Sequence, residues 1–211
     1  MAKSKRREII KGRHKQEIME SAIRLFGIKG YKNTTIEEIA EEAQFSKGAI
    51  YSYFESKKQL FDEILKSLFD KIESFAIEAK NIKSDAREKL KAYALNIMNY
   101  FLNEGKYSFN VMMQAIMQME SEEKEETRNY VIGRLHQISK ILTDIIKSDI
   151  RNGRVKNIDP NLIIMAFNGM LRDVIYGCLH GNAINMKQEE IVETILEIIF
   201  EGISKTKDKV K

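Results

Sequence analysis

Between Thr35 and Lys57 the chain concentrates side chains suited to holding a polyanion. The hydroxyls of Thr35, Ser46 and Tyr51 and the ammonium of Lys57 are donors of the kind that position a protein on phosphate oxygens. Lys47, Gly48, Ala49, Ser52 and Tyr53 crowd the start or the outward side of one short helical stretch. Small or short polar residues in such a place let a helix come close to base edges in a major groove. Backbone amides at the starts of two short helices add donors aimed at phosphates. The chemistry on offer is recognition rather than bond making. Catalysis finds no comparable constellation, since nucleophile elbow, P-loop and dinucleotide glycine fingerprint are all missing. Ser121-Glu-Glu-Lys124 has a serine–lysine spacing, but it sits in a charged helix start where chance explains it. His14, His136 and His180 are scattered and no metal-ligand spacing occurs. An enzyme, a metal site and a cofactor are all unexpected.

The elements that must position these residues are helices. Thr35-Ile-Glu-Glu38 reads as a capping box that opens a short helix through Ala43. Ser46 can cap a second short helix ending near Phe54, and a three-residue turn separates the two. Ile36, Ile39, Ala40 and Ala43 face inward from the first helix, Ile50 and Phe54 from the second, and Phe45 plugs the turn. Small Ala40 allows the second helix to cross. This is a helix-turn-helix arrangement. Ahead of it, Ile18, Ala22, Leu25 and Phe26 mark a helix from about Arg13 to Ile28 that stops at Gly30. Residues 1–12 are polar and basic and are expected to form a flexible tail.

The stretch Phe26-Gly…Gly30-Tyr31…Thr34-Thr35-Ile36…Ile39-Ala40…Ala43…Ser46-Lys47-Gly48-Ala49-Ile50-Tyr51-Ser52-Tyr53-Phe54…Ser56-Lys57…Leu60 strongly resembles the TetR (tetracycline-repressor-like) family. The resemblance covers about residues 13–62. It implies that Thr35, Tyr51 and Lys57 clamp the phosphate backbone. It also implies that Lys47, Gly48, Ala49, Ser52 and Tyr53 sit on a recognition helix. One position departs from the pattern: Gln44 stands where the turn usually has glycine. Either Gln44 adopts positive φ, at about 1 kcal/mol, or the turn is reshaped.

Beyond residue 55 the helical spacing continues without strand-like alternation, giving an all-α chain of about nine helices. The expected division is a head at 13–55 and an effector-binding and dimerisation domain at 56–211. Ser56-Lys-Lys-Gln59 opens a long helix to about Ala79, Asp85 opens another to about Asn103, and Glu104-Gly105 breaks it. A methionine-rich segment follows. A long helix is then expected over 121–151, another from Asp159-Pro160 to about His180, and a last one over about 187–204. The resemblance implies a ligand cavity in this region, and Phe101, Phe109, Met112, Met113 and Ile116 are its candidate apolar lining, with Met98 and Met117 nearby. A methionine stripe at helical spacing is more often plain core. Asn168 and Arg172, one turn apart, either reach a ligand or, for Arg172, pair with an acid such as Asp173 or a group of the partner subunit. The resemblance implies a four-helix homodimer interface made by the last two helices, and the wide apolar faces of helices 160–180 and 187–204 suit it; a bundle within one chain is the alternative cover. Two-fold pairing matches palindromic operator DNA.

The expected function is a repressor released from double-stranded operator DNA when a small, largely apolar effector binds. The helix from residue 56 to 79 would carry the signal. An effectorless chromosome-associated protein and an activator are the alternatives. Bulk properties agree with this reading. Residues 1–60 carry 13 Lys and Arg against 8 Asp and Glu, whereas the remaining residues are close to neutral, so the front is the part that meets a polyanion. The basic start also admits a plain solvated tail. One cysteine, Cys178, leaves no internal disulfide. No secretory signal precedes the head and no membrane span is expected, which makes the cytoplasm the default location.

Overall fold

The computed structural model describes residues 2–117, 125–181 and 185–202. Among them it has nine α-helices, one π-helical turn and no strand. The helices are α1 (Ala2–Lys29), α2 (Ile36–Glu42), α3 (Lys47–Tyr51), α4 (Lys57–Asn81), α5 (Ala86–Asn99), α6 (Lys106–Met117), α7 (Glu125–Arg151), α8 (Pro160–Leu179) and α9 (Gln188–Phe200). The π turn, Tyr100–Glu104, continues α5 up to the expected break at Gly105. The expected helix start at Ser121, the end near Ser204 and the side chain of Met117 lie outside the described residues.

Three expectations are corrected. The supposed tail is the beginning of α1, which runs unbroken from Ala2 and is exposed from Lys5 to Arg13. Its lysines, arginines and isoleucines are adequate helix formers and no proline interrupts them. The second short helix is regular only to Tyr51, after which the Ser52 and Tyr53 amides bond three residues back, to the Ala49 and Ile50 oxygens at 3.1 and 3.0 Å. Packing also divides the chain differently from 13–55 and 56–211. One unit comprises Met1–Lys71 and Gly105–Gly133, the other Ile72–Glu104 and Arg134–Lys211.

In the first unit α1, α2 and α3 close on Ile18, Ala22, Phe26, Ile39, Ile50 and Phe54, all buried. Phe26, Tyr31 and Phe61 pack ring against ring, with centroids 4.7–5.5 Å apart. Helix α6 lies hard against the end of α1. At Gly27 a side chain would meet the Tyr107 Cβ at 2.8 Å and the Tyr107 carbonyl oxygen at 2.9 Å, so glycine is what permits this approach. The last carbonyls of a helix lack internal partners. Here Asn110 Nδ2 donates to the Gly27 oxygen at 3.2 Å and Gln114 Nε2 to the Phe26 oxygen at 3.0 Å. The Gln114 Oε1 then accepts from Tyr31 N–H at 3.3 Å. Two amides one turn apart on α6 thus cap α1 and hold the chain that leaves it.

In the second unit α5, α8 and α9 pack together around Leu90, Tyr93, Ile97, Phe167, Leu171, Val192 and Ile195. Buried Asp149 accepts from the Ala86 amide at the start of α5 at 2.7 Å and from Arg154 at 2.6 Å. The arginine and the amide hold its carboxyl below the usual range, against the opposing effect of burial. Glu193 of α9 pairs with Arg87 at 2.9 Å and with Lys91. By length and composition α8 is apolar enough to cross a membrane, with mean hydropathy 1.5. It nevertheless packs on α5 and α9 and carries Asn168, Arg172 and Asp173.

Candidate nucleic-acid interface

The helix pair is built from local hydrogen bonds. Thr35 caps α2: its hydroxyl accepts from Glu38 N–H at 3.2 Å, and the Glu38 carboxylate accepts from Thr35 N–H at 2.8 Å. Lys29 donates to the other Glu38 oxygen at 2.8 Å. That ammonium first, then the Thr35 amide and hydroxyl, pull the Glu38 carboxyl down to about 2. At the other end of α2, Gln44 adopts φ 59°. Phe45 N–H reaches back to the Ala40 oxygen at 2.8 Å and Gln44 N–H to the Glu41 oxygen at 3.1 Å. This is the Schellman closure, normally served by glycine. The turn therefore keeps its geometry and Gln44 carries the strain. Ser46 caps α3 by accepting from Ala49 N–H at 3.1 Å.

Thr35, Ser46, Lys47, Gly48, Tyr51 and Ser52 are exposed together, and Ala49 is half-buried beneath them. Nothing lies within 4 Å of where a Gly48 side chain would begin. The α3 surface is thus small and open, with Tyr51 as its one large group. Lys47 pairs with Glu37 across the turn, which raises the lysine and lowers the glutamate. Its ammonium also lies 6.0 Å from the Tyr51 ring centroid. Both partners are exposed, so phosphate can replace the carboxylate at little cost.

Two of the expected contacts take on other work. The half-buried Tyr53 hydroxyl shares a 3.1 Å hydrogen bond with His14 Nδ1, so Tyr53 is held against α1 rather than turned freely outward. The His14 ring in turn meets Phe45 edge-on at 5.2 Å. Lys57 Nζ donates to the Tyr31 oxygen at 2.9 Å and the Thr34 oxygen at 2.8 Å, with the Tyr31 ring centroid 4.5 Å away. Two of its three donors are therefore spent on the turn that delivers Thr35, and burial lowers its pKa. Its third donor is left for another contact. His14 escapes notice in the sequence because a lone histidine carries no spacing signal.

The candidate effector residues fall in both units. Phe109 and Met112 are buried in the first, with Met113 and Ile116 half-buried beside them on α6. Phe101 is buried in the second, its ring 5.1 Å from that of Tyr100. Asn168 is half-buried there. Arg172 is exposed and its Nε donates to Asp173 at 3.0 Å. Tyr93, missed in the sequence, is buried beside Phe167, and desolvation raises its phenol well above the ordinary tyrosine value.

With this geometry in hand, the chain can be set beside known proteins. The signature of bacterial regulatory proteins of the tetR family matches residues 18–64, which contain the capped helix pair. Over 142 residues the chain is 25% identical to IcaR of Staphylococcus aureus, the HTH-type negative transcriptional regulator of the biofilm operon icaADBC. The match spans 67% of this chain and 72% of IcaR. Among solved structures, the TetR-family regulator PfmR from Thermus thermophilus superposes with TM-score 0.76 at 25% identity, covering 89% of this chain and 99% of PfmR. FadR from Bacillus subtilis, solved in complex with stearoyl-CoA, superposes with TM-score 0.73 at 19% identity, covering 90% and 99%.

Proposed function

The chain belongs to the TetR family of bacterial regulatory proteins, and on that premise we propose that it is a homodimeric repressor, released from a palindromic operator by a small, largely apolar effector. It is a DNA-binding transcription regulator and not an enzyme. The observation that carries the operator-binding reading is the capped pair α2 and α3, with Thr35, Ser46, Lys47, Gly48, Tyr51 and Ser52 exposed together. In this reading Thr35, Ser46, Tyr51 and Lys47 contact phosphates, while Gly48, Ala49 and Ser52 let α3 approach base edges. Tyr53 and Lys57 hold that surface in place. The negative regulation exerted by IcaR supports repression as its mode.

Dimerisation is assigned to α8 and α9. Leu162 and Met165 are 59% and 70% exposed, and Tyr176 on α8 and Ile198 on α9 are also uncovered. A second copy would remove this apolar surface from water. The effector is assigned to the apolar side chains Phe109, Met112, Met113 and Ile116 of α6, in the first unit. The stearoyl-CoA held by FadR makes acyl thioesters the first class to try. Effector binding that displaces α6 would disturb the amide cap on α1, and continuous α4 offers a second route to the head. Coupling in such systems is typically about 1–3 kcal/mol. The cytoplasm, where chromosomal DNA lies, is the proposed site of action.

Selection of bound duplexes from a random pool tests the central claim. A two-fold symmetric consensus is expected. Recovery of no enriched sequence would overturn the reading. A thermal-shift panel of acyl-CoAs of graded length, free acids and cationic dyes tests the effector, and failure of every apolar class would remove that part.

A further inference from the structure

Residues 1–13 hold Lys3, Lys5, Arg6, Arg7, Lys11 and Arg13 against the single acid Glu8. From Lys5 to Arg13 every residue is exposed, on a helix continuous with the head. Among the described residues Lys5, Arg6, Arg7 and Lys11 have neither ion pair nor hydrogen bond, and Arg13 has only Glu17 at 3.8 Å. Elsewhere in the same unit Lys15, Arg24, Lys29, Lys47 and Lys58 are each matched to a carboxylate. Lys32, Lys66 and Arg128 of this unit also have no ion pair among the described residues, but they stand singly, whereas four such cations cluster on the first three turns of α1.

Those turns are aimed. At 100° per residue, Lys11 and Arg7 lie three and seven residues before His14 and share its side of α1. That side meets the far end of the α2–α3 pair, where His14 bonds Tyr53 and its ring meets Phe45. Lys15 adds an ion pair to Glu63 and a cation–π contact with Phe54 at 5.4 Å. The helix is therefore anchored immediately before the cations begin, and at 1.5 Å per residue they extend about 14 Å beyond the anchor. Resting on the operator-binding reading above, we propose that the first three turns of α1 are a second phosphate-binding element, gripping double-stranded DNA that flanks the half-site met by α3. Arg7 and Lys11, on the His14 side, are its contacts, and Lys5 and Arg6 add to the local positive field. They add affinity without reading sequence, because phosphates are the same everywhere.

The test uses the full chain in which Lys5, Arg6, Arg7 and Lys11 are together replaced by glutamine, which preserves helix propensity; circular dichroism checks that helix content is kept. Affinity for the selected operator is measured against salt concentration. One duplex ends at the symmetric core and a second extends about one helical turn beyond it on each side. Each lost phosphate contact lowers the slope of log K against log salt by about 0.9. A dimer losing one or two contacts per head should lose about 2–4 in slope, with its sequence preference intact. The unsubstituted protein should bind the longer duplex more tightly, and the variant should not distinguish the two. If slope and flank dependence match the unsubstituted protein while Lys47→Ala weakens binding, the basic run is only solvated and the operator reading stands. If the unsubstituted protein binds neither duplex, the operator reading fails and this inference falls with it.

Discussion

Replacing Gly27 with alanine sets helix propensity against packing. In an exposed helix interior the change is favourable by about 0.8–1 kcal/mol, since glycine gives up more backbone freedom on folding. At Gly27 the new Cβ would lie 2.8 Å from Tyr107 Cβ, 2.9 Å from its carbonyl oxygen and 3.1 Å from its Cα. Carbon atoms rest at about 3.5–4.0 Å, so α6 must retreat by several tenths of an ångström or more. Two of those three atoms are backbone, so no rotamer change relieves the clash. Retreat also stretches the Asn110 and Gln114 bonds to the Gly27 and Phe26 oxygens, now 3.2 and 3.0 Å. Overpacking costs about 1–3 kcal/mol and a weakened hydrogen bond about 0.5–1.5. Against the propensity gain, the net expectation is a loss of about 1–3 kcal/mol. Urea unfolding of Gly27→Ala beside Gly12→Ala measures it. Gly12 lies on the same helix with nothing within 4 Å of its would-be side chain, so there alanine should stabilise. Equal stabilisation by both variants would refute the close approach of α1 and α6.

Gln44→Gly should stabilise by about 0.5–1 kcal/mol. Release of a left-handed residue is worth about 1–2 kcal/mol and greater freedom of the unfolded chain returns about 0.4–1; a destabilised variant in urea melts would contradict the positive φ. Lys57→Met should cost about 1–3 kcal/mol in stability, because the Tyr31 and Thr34 oxygens lose their donor. Lys47→Ala should instead weaken operator binding in gel-shift titrations and leave the melting temperature unchanged. Glu38 has a folded pKa depressed to about 2, so its contribution is fully present above the ordinary carboxylate range and is lost as pH falls towards 2. The stability difference between the unsubstituted protein and Glu38→Gln should therefore shrink from pH 5 to pH 2, and an NMR titration of the carboxyl should show the low midpoint directly.

What is legible in the sequence follows the range of each interaction. Thr35 with Glu38, Ser46 with Ala49 and the closure at Gln44 join residues within five positions, so side-chain type and spacing announce them. The apolar faces of α8 and α9 are equally plain, because helical periodicity is a local property. The start of α1 misleads because charge density suggests solvation, although lysine and arginine are compatible with a helix. The end of α3 misleads because apolar Phe54 continues the inward stripe, while the backbone tightens to three-residue bonds at Ser52 and Tyr53. Resemblance assigns Lys57 to phosphate. Its bonds to Tyr31 and Thr34 cross 26 and 23 residues and leave no trace in local spacing. Tyr53 with His14, 39 positions apart, is hidden for the same reason.

The most informative of these hidden contacts join α6 to α1 across 83–88 residues. Their amides stand on the same short helix as Phe109, Met112, Met113 and Ile116, the residues assigned to the effector. A helix of this length moves as a body, so a ligand that repacks one side of α6 cannot leave Asn110 and Gln114 where they are. Gln114 is bonded at once to the last turn of α1 and to Tyr31, and Tyr31 lends its carbonyl to Lys57 and its ring to Phe26 and Phe61. The Lys57 ammonium in turn holds the Thr34 carbonyl, one residue before the cap of α2. A displacement of α6 therefore reaches the start of α2 through fixed hydrogen bonds within a single packed unit. Gln114→Leu, which fills the same space but bonds to neither α1 nor Tyr31, should leave the symmetric operator consensus intact while reducing the change in operator affinity that an effector produces. An undiminished effector response in that variant would shift the burden of transmission to α4.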